Sequence, residues 1–476
     1  MRTRLCMGSI AVAALLGLGK EAPAQASPNE ETYSKTFTTK HTGTFNGRTV
    51  QYIATIGPTV LRNTAGTPLI RFVSTSYVRS DMKDPSRRPV IFVFDGGPSA
   101  ASAVLEIRLI GPRLTTVPPI GEEKTFLPQV VDNPESVLDA ADLVFVDPAE
   151  TGFTRVLPAG NRSYFYSVDG DAQSIADFIL TWLKENKRET SPRYLLGQSY
   201  GSVRAIKVAI DLAKVRPVDG IMVQGNSAMV LEADRVGTIT SYALNLPTFA
   251  VTAVVRGIVD RAGRTDKEIV DQAYDFAMGD YLISLARVQD LTPARKIEVA
   301  KKLSSLTGID MENLLAHDLA FSPDEFRAYV AQKTKGLPPD HSDVRRTAQL
   351  PDIVGPAFQH YVTGELGVNY VMTDYRNLAP GSENWNFGPA DRFSGNDWPG
   401  MLRDHLRAYP TVRYLSMNGL HDGIAKIGEV RYLFSRTRLP KDRVLEREYP
   451  GGHSAYTVKE TREAELADIR AFVTEN

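Results

Sequence analysis

Cysteine is almost absent from this sequence, since Cys6 is the only one among 476 residues. It lies in an apolar run over residues 5–18 that follows two arginines and precedes the small residues Ala24 and Ala26. A basic start, a short apolar run and small residues in this order predict a secretory signal peptide over residues 1–26. A retained membrane anchor is the alternative, although the run is short for a bilayer span. Removal of the signal peptide would leave a mature chain without disulfides or a thiol nucleophile, and we expect a bacterial periplasmic or secreted protein.

A strong net charge is also missing, because 55 basic residues nearly balance 56 acidic ones and the formal net charge is -1. This balance gives no reason to expect nucleic acid or an anionic membrane as a partner. After the predicted signal peptide, no stretch of the sequence is long and apolar enough to span a membrane. The sequence also lacks an H-E-x-x-H pattern, paired Cys/His spacing, a G-x-G-x-x-G pattern and a P-loop. We therefore predict neither a metal nor a nucleotide cofactor.

The sequence does contain the alternation of strands and helices that is typical of an α/β protein. Short β-branched or aromatic runs, each followed by turn residues, predict buried parallel strands. They cover residues 89–94, 141–146, 193–196, 218–223, 412–417 and 444–449. Helical periodicity covers residues 171–187, 202–214 and 459–473. Together these elements predict a doubly wound, mostly parallel sheet, and the polar and apolar alternation over residues 33–80 predicts an antiparallel β start.

Residues 231–400 interrupt this alternation. Thr292-Pro293 predicts a helix start, and residues 322–325 match a capping box with proline at the first helical position. Residues 381–400 are rich in Gly, Pro, Asn and Trp and predict a long loop. We expect a mostly helical insertion, or cap, over the carboxyl edge of the sheet, where α/β proteins bind their ligands. The predicted division is a signal peptide at 1–26, a first core part at 27–230, the cap at 231–400 and a second core part at 401–476.

Ser199 lies in the stretch G-Q-S-Y-G-S, residues 197–202. A G-x-S-x-G pattern is a weak signal by itself, but this one falls between a predicted strand and a predicted helix. A nucleophile elbow requires that strand-to-helix turn, and flanking glycines leave room for its strained serine. The start of the helix also favours negative charge near the serine oxygen. We predict a nucleophile at Ser199, with an ordinary serine in a small-residue loop as the alternative.

A serine hydroxyl needs a base, so this hypothesis requires a histidine and an orienting carboxylate further along the chain. In this kind of fold the expected order is Ser, then Asp or Glu, then His, after later strands. Asp422 and His453 each follow one of the last two predicted strands, and His453 precedes the terminal helix. His421 is the nearest rival, but no later acid lies in the right place. We predict a triad of Ser199, Asp422 and His453, against the alternatives of a solvated aspartate and a turn histidine.

These and further motifs resemble those of the serine carboxypeptidase family. That family has G-E-S-Y-[AG]-G at its nucleophile, an N-G-G-P-G loop followed by a G-P pair, and D-x-P-x-G-x-G-F, G-D-x-D and G-x-G-H segments. The similar segments of this chain are residues 197–202, 95–99, 111–112, 147–153, 419–422 and 451–453. The resemblance covers residues 85–230 and 370–475 and implies an α/β-hydrolase fold.

The resemblance implies a role for each matching residue. Ser199 would be the nucleophile, His453 the general base and then acid, and Asp422 the residue that holds the imidazole. The backbone N–H groups of Gly97 and Tyr200 would form the oxyanion hole. Amide donors aimed at a developing alkoxide usually make a large contribution to catalysis.

Three positions depart from the family, which holds the free C-terminal carboxylate of its substrate with an asparagine and two glutamates. This chain has Asp95, Gln198 and Leu109 at those positions. Gln198 can still donate a hydrogen bond, whereas an ionised Asp95 would repel a carboxylate and Leu109 has no polar group. Arg108 would restore positive charge beside Leu109. The predicted substrate-binding residues are Asp95, Gly96, Gln198 and Arg108, although the glycine also fits a simple tight turn.

We predict an exported serine carboxypeptidase, or a close relative, that cleaves peptides from the C-terminus through an acyl-enzyme. The altered positions favour an alternative with the same triad, namely an esterase, amidase, aminopeptidase or acyltransferase, and a binding module without turnover is a third. The expected partner is a peptide or other acyl substrate, and the sequence is compatible with a homo-oligomer. Because the family glutamates are replaced, we expect activity to rise through the titration of His453, near a pKa of about 6.5, and to hold at neutral pH.

Overall fold

The computed structural model describes residues 33–116, 128–230, 238–335, 355–388 and 396–475. The predicted signal peptide, residues 1–26, lies outside these ranges. Within them, no helix combines the length and the apolar character that crossing a bilayer requires.

One large mixed sheet organises the chain. The strands are β1 (Phe37–Phe45), β2 (Arg48–Arg62), β3 (Pro68–Arg79), β4 (Val90–Phe94), β5 (Arg113–Thr115), β6 (Val130–Asp132), β7 (Asp142–Val146), β8 (Arg155–Val156), β9 (Arg193–Gln198), β10 (Gly220–Gln224), β11 (Arg413–Gly419) and β12 (Val444–Tyr449). In the described residues, ten of them form a sheet in the order β1-β2-β3-β7-β4-β9-β10-β11-β12, with β8 paired to β3. Along this sheet order, neighbouring strands from β1 to β7 pair in antiparallel fashion, and neighbouring strands from β7 through β4 to β12 pair in parallel fashion. The predicted antiparallel start and parallel core are therefore confirmed.

Helices cover both faces of the sheet, and several of them lie between β10 and β11 in the sequence. They are α1 (Ala103–Leu105), α2 (Arg162–Phe165), α3 (Val168–Glu185), α4 (Gly201–Leu212), α5 (Ile239–Val255), α6 (Asp266–Phe276), α7 (Leu282–Ala286), α8 (Pro293–Thr307), α9 (Met311–Ala316), α10 (Pro323–Lys333), α11 (Trp398–Ala408), α12 (Ile427–Thr437) and α13 (Lys459–Thr474). A further helical stretch covers residues 355–360, and a π-helical turn, Glu106–Ile110, follows α1.

Alternate residues of the central strands enter two hydrophobic cores, one on each face of the sheet. In β4, Phe92 and Phe94 pack in the core that contains residues of α3 and α4. Ile91 and Val93 pack in the opposite core with residues of α13. Because β4 is buried on both faces, its sequence is continuously apolar, as a central parallel strand requires.

Helix capping explains where the observed helices depart from the predicted ones. The helix predicted at residues 171–187 begins earlier, because the Ser167 side chain accepts a hydrogen bond from Gly170 N at 3.1 Å and caps α3. The loop predicted at 381–400 is wrong at its end, because Asp397 accepts from Gly400 N at 2.9 Å and starts α11 at Trp398. The predicted starts of α8 and α10 are confirmed, the latter with its capping box.

The helical region after β10 lies against the core. Helices α5 and α12 pack closely, since Gly428 of α12 leaves no space for a side chain beside the Leu244 carbonyl of α5. The C-terminal half of α5 contributes Phe249, Ala250 and Val251 to the core on the α3 and α4 face. These contacts attach the helical region to helix α12, which follows β11.

Candidate active site

Ser199 occupies the turn between β9 and α4. Its φ angle is 56°, in the left-handed region that non-glycine residues rarely adopt. Gly197 is required here, because a Cβ at this position would lie 2.0 Å from the Gly201 carbonyl oxygen. At Gly201 a Cβ would lie 3.1 Å from the carbonyl oxygens of Phe94 and Asp95, which is a tight contact. The Ser199 amide donates to the Gln224 carbonyl at 2.9 Å, which ties the turn to β10. The serine is thus held on a tight strand-to-helix turn at the carboxyl end of the parallel strands.

Asp422 and His453 follow β11 and β12, and these adjacent parallel strands bring the two side chains together. His453 Nδ1 lies 2.8 Å from Asp422 Oδ2. Asp422 Oδ1 accepts backbone hydrogen bonds from Ile424 at 2.7 Å and Ala425 at 3.0 Å. Asp422 is completely buried and His453 is 5% exposed. These contacts fix both the carboxylate and the imidazole ring.

The second ring nitrogen of His453 is available for chemistry. Nε2 is buried and has no hydrogen-bond partner among the residues that the structure describes. With Nδ1 donating its proton to Asp422, the neutral ring presents a lone pair at Nε2. Burial opposes charging of the ring, but the charge and hydrogen bond of Asp422, with the charge of Asp95, outweigh it and raise the pKa of His453. The ring is therefore prepared to accept a proton.

Two contacts place the His453 loop beside the Ser199 turn. The Gln198 carboxamide donates from Nε2 to Ser454 Oγ at 2.9 Å. At Gly225, just after β10, a Cβ would lie only 2.9 Å from both Cε1 and Nδ1 of His453. The residues that flank the serine and the histidine in sequence are therefore in direct contact, and the two side chains belong to one site.

The loop after β4 lies against the same turn. A Cβ at Gly96 would lie 2.5 Å from the Gln198 carbonyl oxygen and 2.7 Å from the Tyr200 nitrogen. It would also lie 2.9 Å from Ser199 Cβ, so only glycine allows this approach. Gly97 has a φ angle of 103° and is exposed. The backbone amides of Gly97 and Tyr200 were predicted as oxyanion donors. They thus belong to two segments that touch each other beside the serine.

Asp95 begins this loop and has an unusual acidity. Its Oδ1 accepts the Gly96 N–H at 2.7 Å. Burial raises the pKa of Asp95 to about 6, although the Gly96 hydrogen bond and the charges of Arg204 and His453 oppose this rise. Asp95 is therefore a neutral acid below about pH 6 and a carboxylate at neutral pH.

Gln198 belongs to a hydrogen-bonded group that sequence analysis did not identify. Besides its bond to Ser454, its Oε1 accepts from the Tyr456 hydroxyl at 3.0 Å. Gln198 is 4% exposed, and Ser454 and Tyr456 are also buried. Both partners lie within three residues of His453, and this proximity in sequence was the only available signal. Gln198 therefore connects the serine turn with the histidine loop.

Leu109 and Arg108 lie in the π-helical turn Glu106–Ile110, and both are almost completely buried. Leu109 packs in the hydrophobic core on the α13 face. Arg108 donates to the Thr115 carbonyl. Burial raises the pKa of Tyr456, and the charge of Arg108 opposes this rise, so Arg108 lies within electrostatic reach of the Gln198 group. Arg108 therefore has an electrostatic influence on the Gln198 group, whereas Leu109 offers it no polar contact.

His421, the rival histidine, has a different partner. Its Nε2 lies 2.7 Å from Asp266 Oδ2, at the first residue of α6. The hydrogen bond from His421 lowers the pKa of Asp266 to about 2, against the effect of burial, and Arg261 contributes to this shift. His421 therefore connects the loop of Asp422 with the helical region.

Comparisons with known proteins concern the fold and the part of this site that lies within residues 76–209. A model of the serine carboxypeptidase family matches residues 76–209, which include the loop after β4 and the Ser199 turn. No curated protein matches the chain. The prohormone-processing carboxypeptidase of Saccharomyces cerevisiae is 12% identical, with a TM-score of 0.52 over 89% of this chain and 90% of that one.

Two other solved structures are less similar. A proline iminopeptidase of Mycobacterium smegmatis is 12% identical, with a TM-score of 0.36 over 88% of this chain and 97% of that one. A thermostable carboxyl esterase of Bacillus coagulans is also 12% identical, with a TM-score of 0.39 over 88% and 99%. The chain has the α/β-hydrolase fold, and its resemblance to the serine carboxypeptidase family is confirmed over residues 76–209.

Proposed function

We propose that this chain is a serine hydrolase of the serine carboxypeptidase type, with Ser199, His453 and Asp422 as its catalytic triad. The main support is the buried Nε2 of His453, on a ring whose other nitrogen is held by Asp422 and whose loop contacts the serine turn. A serine hydroxyl becomes an effective nucleophile only beside such a base. A serine elbow, a fixed imidazole and a glycine loop lie together here, and this geometry favours acyl transfer.

In the proposed reaction, Ser199 Oγ attacks the substrate carbonyl carbon while its proton passes to His453 Nε2. The carbonyl electron pair moves onto oxygen, and the N–H groups of Gly97 and Tyr200 donate to this oxyanion. His453 then protonates the leaving amine or alcohol, and an acyl ester remains on Ser199. A water molecule, deprotonated by His453, cleaves the ester and releases the acid. Asp422 keeps the imidazole oriented throughout.

For the substrate we propose peptides that are shortened from the C-terminus. Below about pH 6 a neutral Asp95 can donate a hydrogen bond to the terminal carboxylate, and Gln198 and Arg108 make the surroundings polar and positive. The proposed binding set also includes Gly96, whose missing side chain keeps the loop against the serine turn.

A second candidate has the same triad but a substrate without a free carboxylate, as in an esterase, amidase, aminopeptidase or acyltransferase. Two observations favour it. Leu109 faces the core and offers no polar group, and Asp95 becomes a carboxylate at neutral pH.

Paired peptides separate the two candidates. Residues 27–476 would be incubated at pH 5.5 and 7.5 with N-blocked peptides that end as a free acid or as an amide, and the products identified by mass. Stepwise loss of C-terminal residues from the acid alone supports a carboxypeptidase. Turnover of the amide or of simple esters, without cleavage of the acid, supports the second candidate.

Ser199→Ala is the matched control, since it removes one oxygen from the same fold. A fluorophosphonate should label Ser199 in the folded wild-type protein and not the variant. Absence of labelling and of all turnover in correctly folded protein would contradict a catalytic role and favour a binding module.

We also propose that the chain is a bacterial protein exported to the periplasm or the medium. The support is the signal-peptide pattern over residues 1–26 and the absence of cysteine after it. N-terminal sequencing of protein from the periplasmic fraction should start at Ser27, whereas an intact N-terminus in the membrane fraction would contradict cleavage.

A further inference from the structure

Arg204, in the helix that follows the serine turn, is a buried arginine with an unusual set of partners. It is 1% exposed, although arginine is rarely buried so completely without a paired charge. Its Nε donates to Asp171 Oδ2 of α3 at 2.7 Å. Its Nη1 and Nη2 donate to the backbone carbonyls of Asp95 and Pro98. All three guanidinium nitrogens are therefore engaged, one by a carboxylate and two by the loop after β4.

The two carbonyls bracket the pair Gly96-Gly97. A glycine pair has no side chains to restrict its backbone, so its conformation must be fixed from outside. The planar guanidinium fixes both ends of the pair in one geometry, because its donors are held in a rigid fork. Gly96 also lies so close to the Ser199 turn that a Cβ would not fit between them. Rotation of the loop would therefore redirect the Gly97 N–H relative to the serine.

The guanidinium is itself held firmly. It lies over the Tyr200 ring at 5.1 Å and the Phe94 ring at 5.8 Å from their centroids. Asp171, its carboxylate partner, is 1% exposed. Replacing a buried ion pair by apolar residues is often neutral or stabilising, so stability alone is a weak reason for this one. Its contacts with the glycine loop give it a more specific role.

We propose that Arg204 is a positioning residue that orients the Gly97 N–H toward the oxyanion formed at Ser199. This inference rests on the proposed serine hydrolase function. Arg204 does not touch the reacting atoms; it acts through the loop of residues 95–98. Its loss should therefore affect stabilisation of the tetrahedral oxyanion and leave binding of the planar substrate largely intact.

Kinetics of Arg204→Lys and Arg204→Met test this role. With an ester substrate, we expect kcat to fall about 10- to 100-fold while KM changes less than about threefold, because small misplacements of a catalytic group have effects of this size. Affinity for a peptide boronic acid should fall by a similar factor. Its boron accepts a lone pair from Ser199 Oγ, whose proton passes to His453, and the resulting tetrahedral adduct places an oxygen in the oxyanion hole.

Lys207→Met is the matched control. Lys207 lies one turn further along α4 and pairs with Asp169 of α3 at 2.7 Å, so it joins the same two helices without contacting the loop. Its kcat, KM and boronate affinity should stay within about twofold of wild type, because this partly buried side chain pairs with Asp169, whose side chain is exposed. If Arg204 variants behave like this control, or if only KM rises, the inference is wrong.

A folding defect and a failed proposed function give different results. Circular dichroism and thermal unfolding report the folded fraction, and kcat is expressed per folded molecule. If Arg204→Met does not fold, Asp171→Asn keeps the guanidinium but weakens its orientation, and a fall in kcat without a rise in KM is again expected. A wild-type protein that neither turns over esters nor reacts with a fluorophosphonate overturns the hydrolase proposal, and this inference with it. An active wild type with unaffected Arg204 and Asp171 variants overturns the inference alone.

Discussion

Two histidine–aspartate pairs, one buried and one partly buried, lie next to each other in this molecule, and they have different surroundings. His453 and Asp422 are 2.8 Å apart and join two loops of the sheet. His421 and Asp266 are 2.7 Å apart and join one of these loops to helix α6. The distances are nearly equal, so the hydrogen bond itself does not distinguish a catalytic pair from a structural one.

The surroundings of the ring and of the carboxylate make the distinction. Asp422 binds the Nδ1 side of its histidine and leaves a buried Nε2 without a partner among the described residues. Asp266 instead binds Nε2 of His421, and its carboxylate also pairs with Arg261 at 2.6 Å. Only the first pair offers a proton-accepting nitrogen beside a serine turn. The comparison supports the proposed catalytic role of the first pair and indicates that the second pair attaches the helical region.

The largest expected effect is on activity when the carboxylate of the first pair is neutralised. Asp422→Asn removes the charge that stabilises the protonated ring and favours the wrong tautomer, so kcat should fall about 10⁴-fold with an ester substrate. The corresponding change in the second pair, Asp266→Asn, should alter kcat less than about threefold, since its histidine binds Asp266 and is not part of the proposed triad. Equal losses from the two variants would contradict the assignment of separate roles.

The pH dependence of wild type provides the next largest effect. His453 accepts a proton only when neutral, and its pKa is raised, so kcat/KM for an ester should rise with pH and reach half of its maximum above the ordinary value of about 6.5. For a free-acid peptide the same rise is opposed by Asp95, which ionises around pH 6 and then repels the substrate carboxylate. We therefore expect a plateau for the ester and a bell-shaped profile for the acid.

Asp95→Asn is the control for that profile, because it keeps the size and shape of the side chain but cannot ionise. It should remove the alkaline fall for the free-acid peptide. The ester profile should keep its plateau, with its rise shifted to lower pH, because the charge of Asp95 contributes to the raised pKa of His453. A bell-shaped ester profile, or an alkaline fall that persists in Asp95→Asn, would show that another group is responsible.

The smallest expected effect is on stability, through the second pair. The folded-state pKa of Asp266 is lowered to about 2, so its contribution is present above the unfolded pKa and is lost as the pH falls toward 2. At pH 7, Asp266→Asn should lower the free energy of unfolding by about 1.5–3 kcal/mol, the range for hydrogen bonds to charged groups. Urea unfolding at pH 7 and pH 2.5 measures the difference, which should shrink at the lower pH; a constant difference would contradict the ionic contribution.

The central sheet was largely predictable because its strands are buried on both faces and follow one another at helix-length intervals. The helix predicted at 459–473 is one residue longer in the structure. The strand at residues 444–449 has its predicted limits, but the prediction that it is buried is wrong, because it lies at the edge of the sheet and only Tyr449 is buried. The helix starts that were missed depend on local capping by Ser167 and Asp397, which the apolar periodicity does not reveal.

The surroundings of the site were less predictable, because they depend on side chains that are distant in sequence. Arg204 reaches Asp171 and the loop of residues 95–98, and Gln198 reaches Tyr456 across 258 positions of the chain. No periodicity or short motif specifies such pairs. The family pattern indicated that position 109 had changed, but only the packing of the π-helical turn shows that Leu109 faces the core.

The order of the strands in the sheet also has a consequence for the maturation of this protein. The strands that precede the acid and the base, β11 and β12, come last in the chain and occupy the outer positions beyond β10. A nascent or partly folded chain without these two strands has the serine turn but neither Asp422 nor His453 in place. Contacts between such distant segments form slowly compared with local ones. Under the proposed function, hydrolytic capacity would therefore arise only with the completed fold, and the chain would be protected from self-digestion during folding, when its own peptide bonds are most accessible.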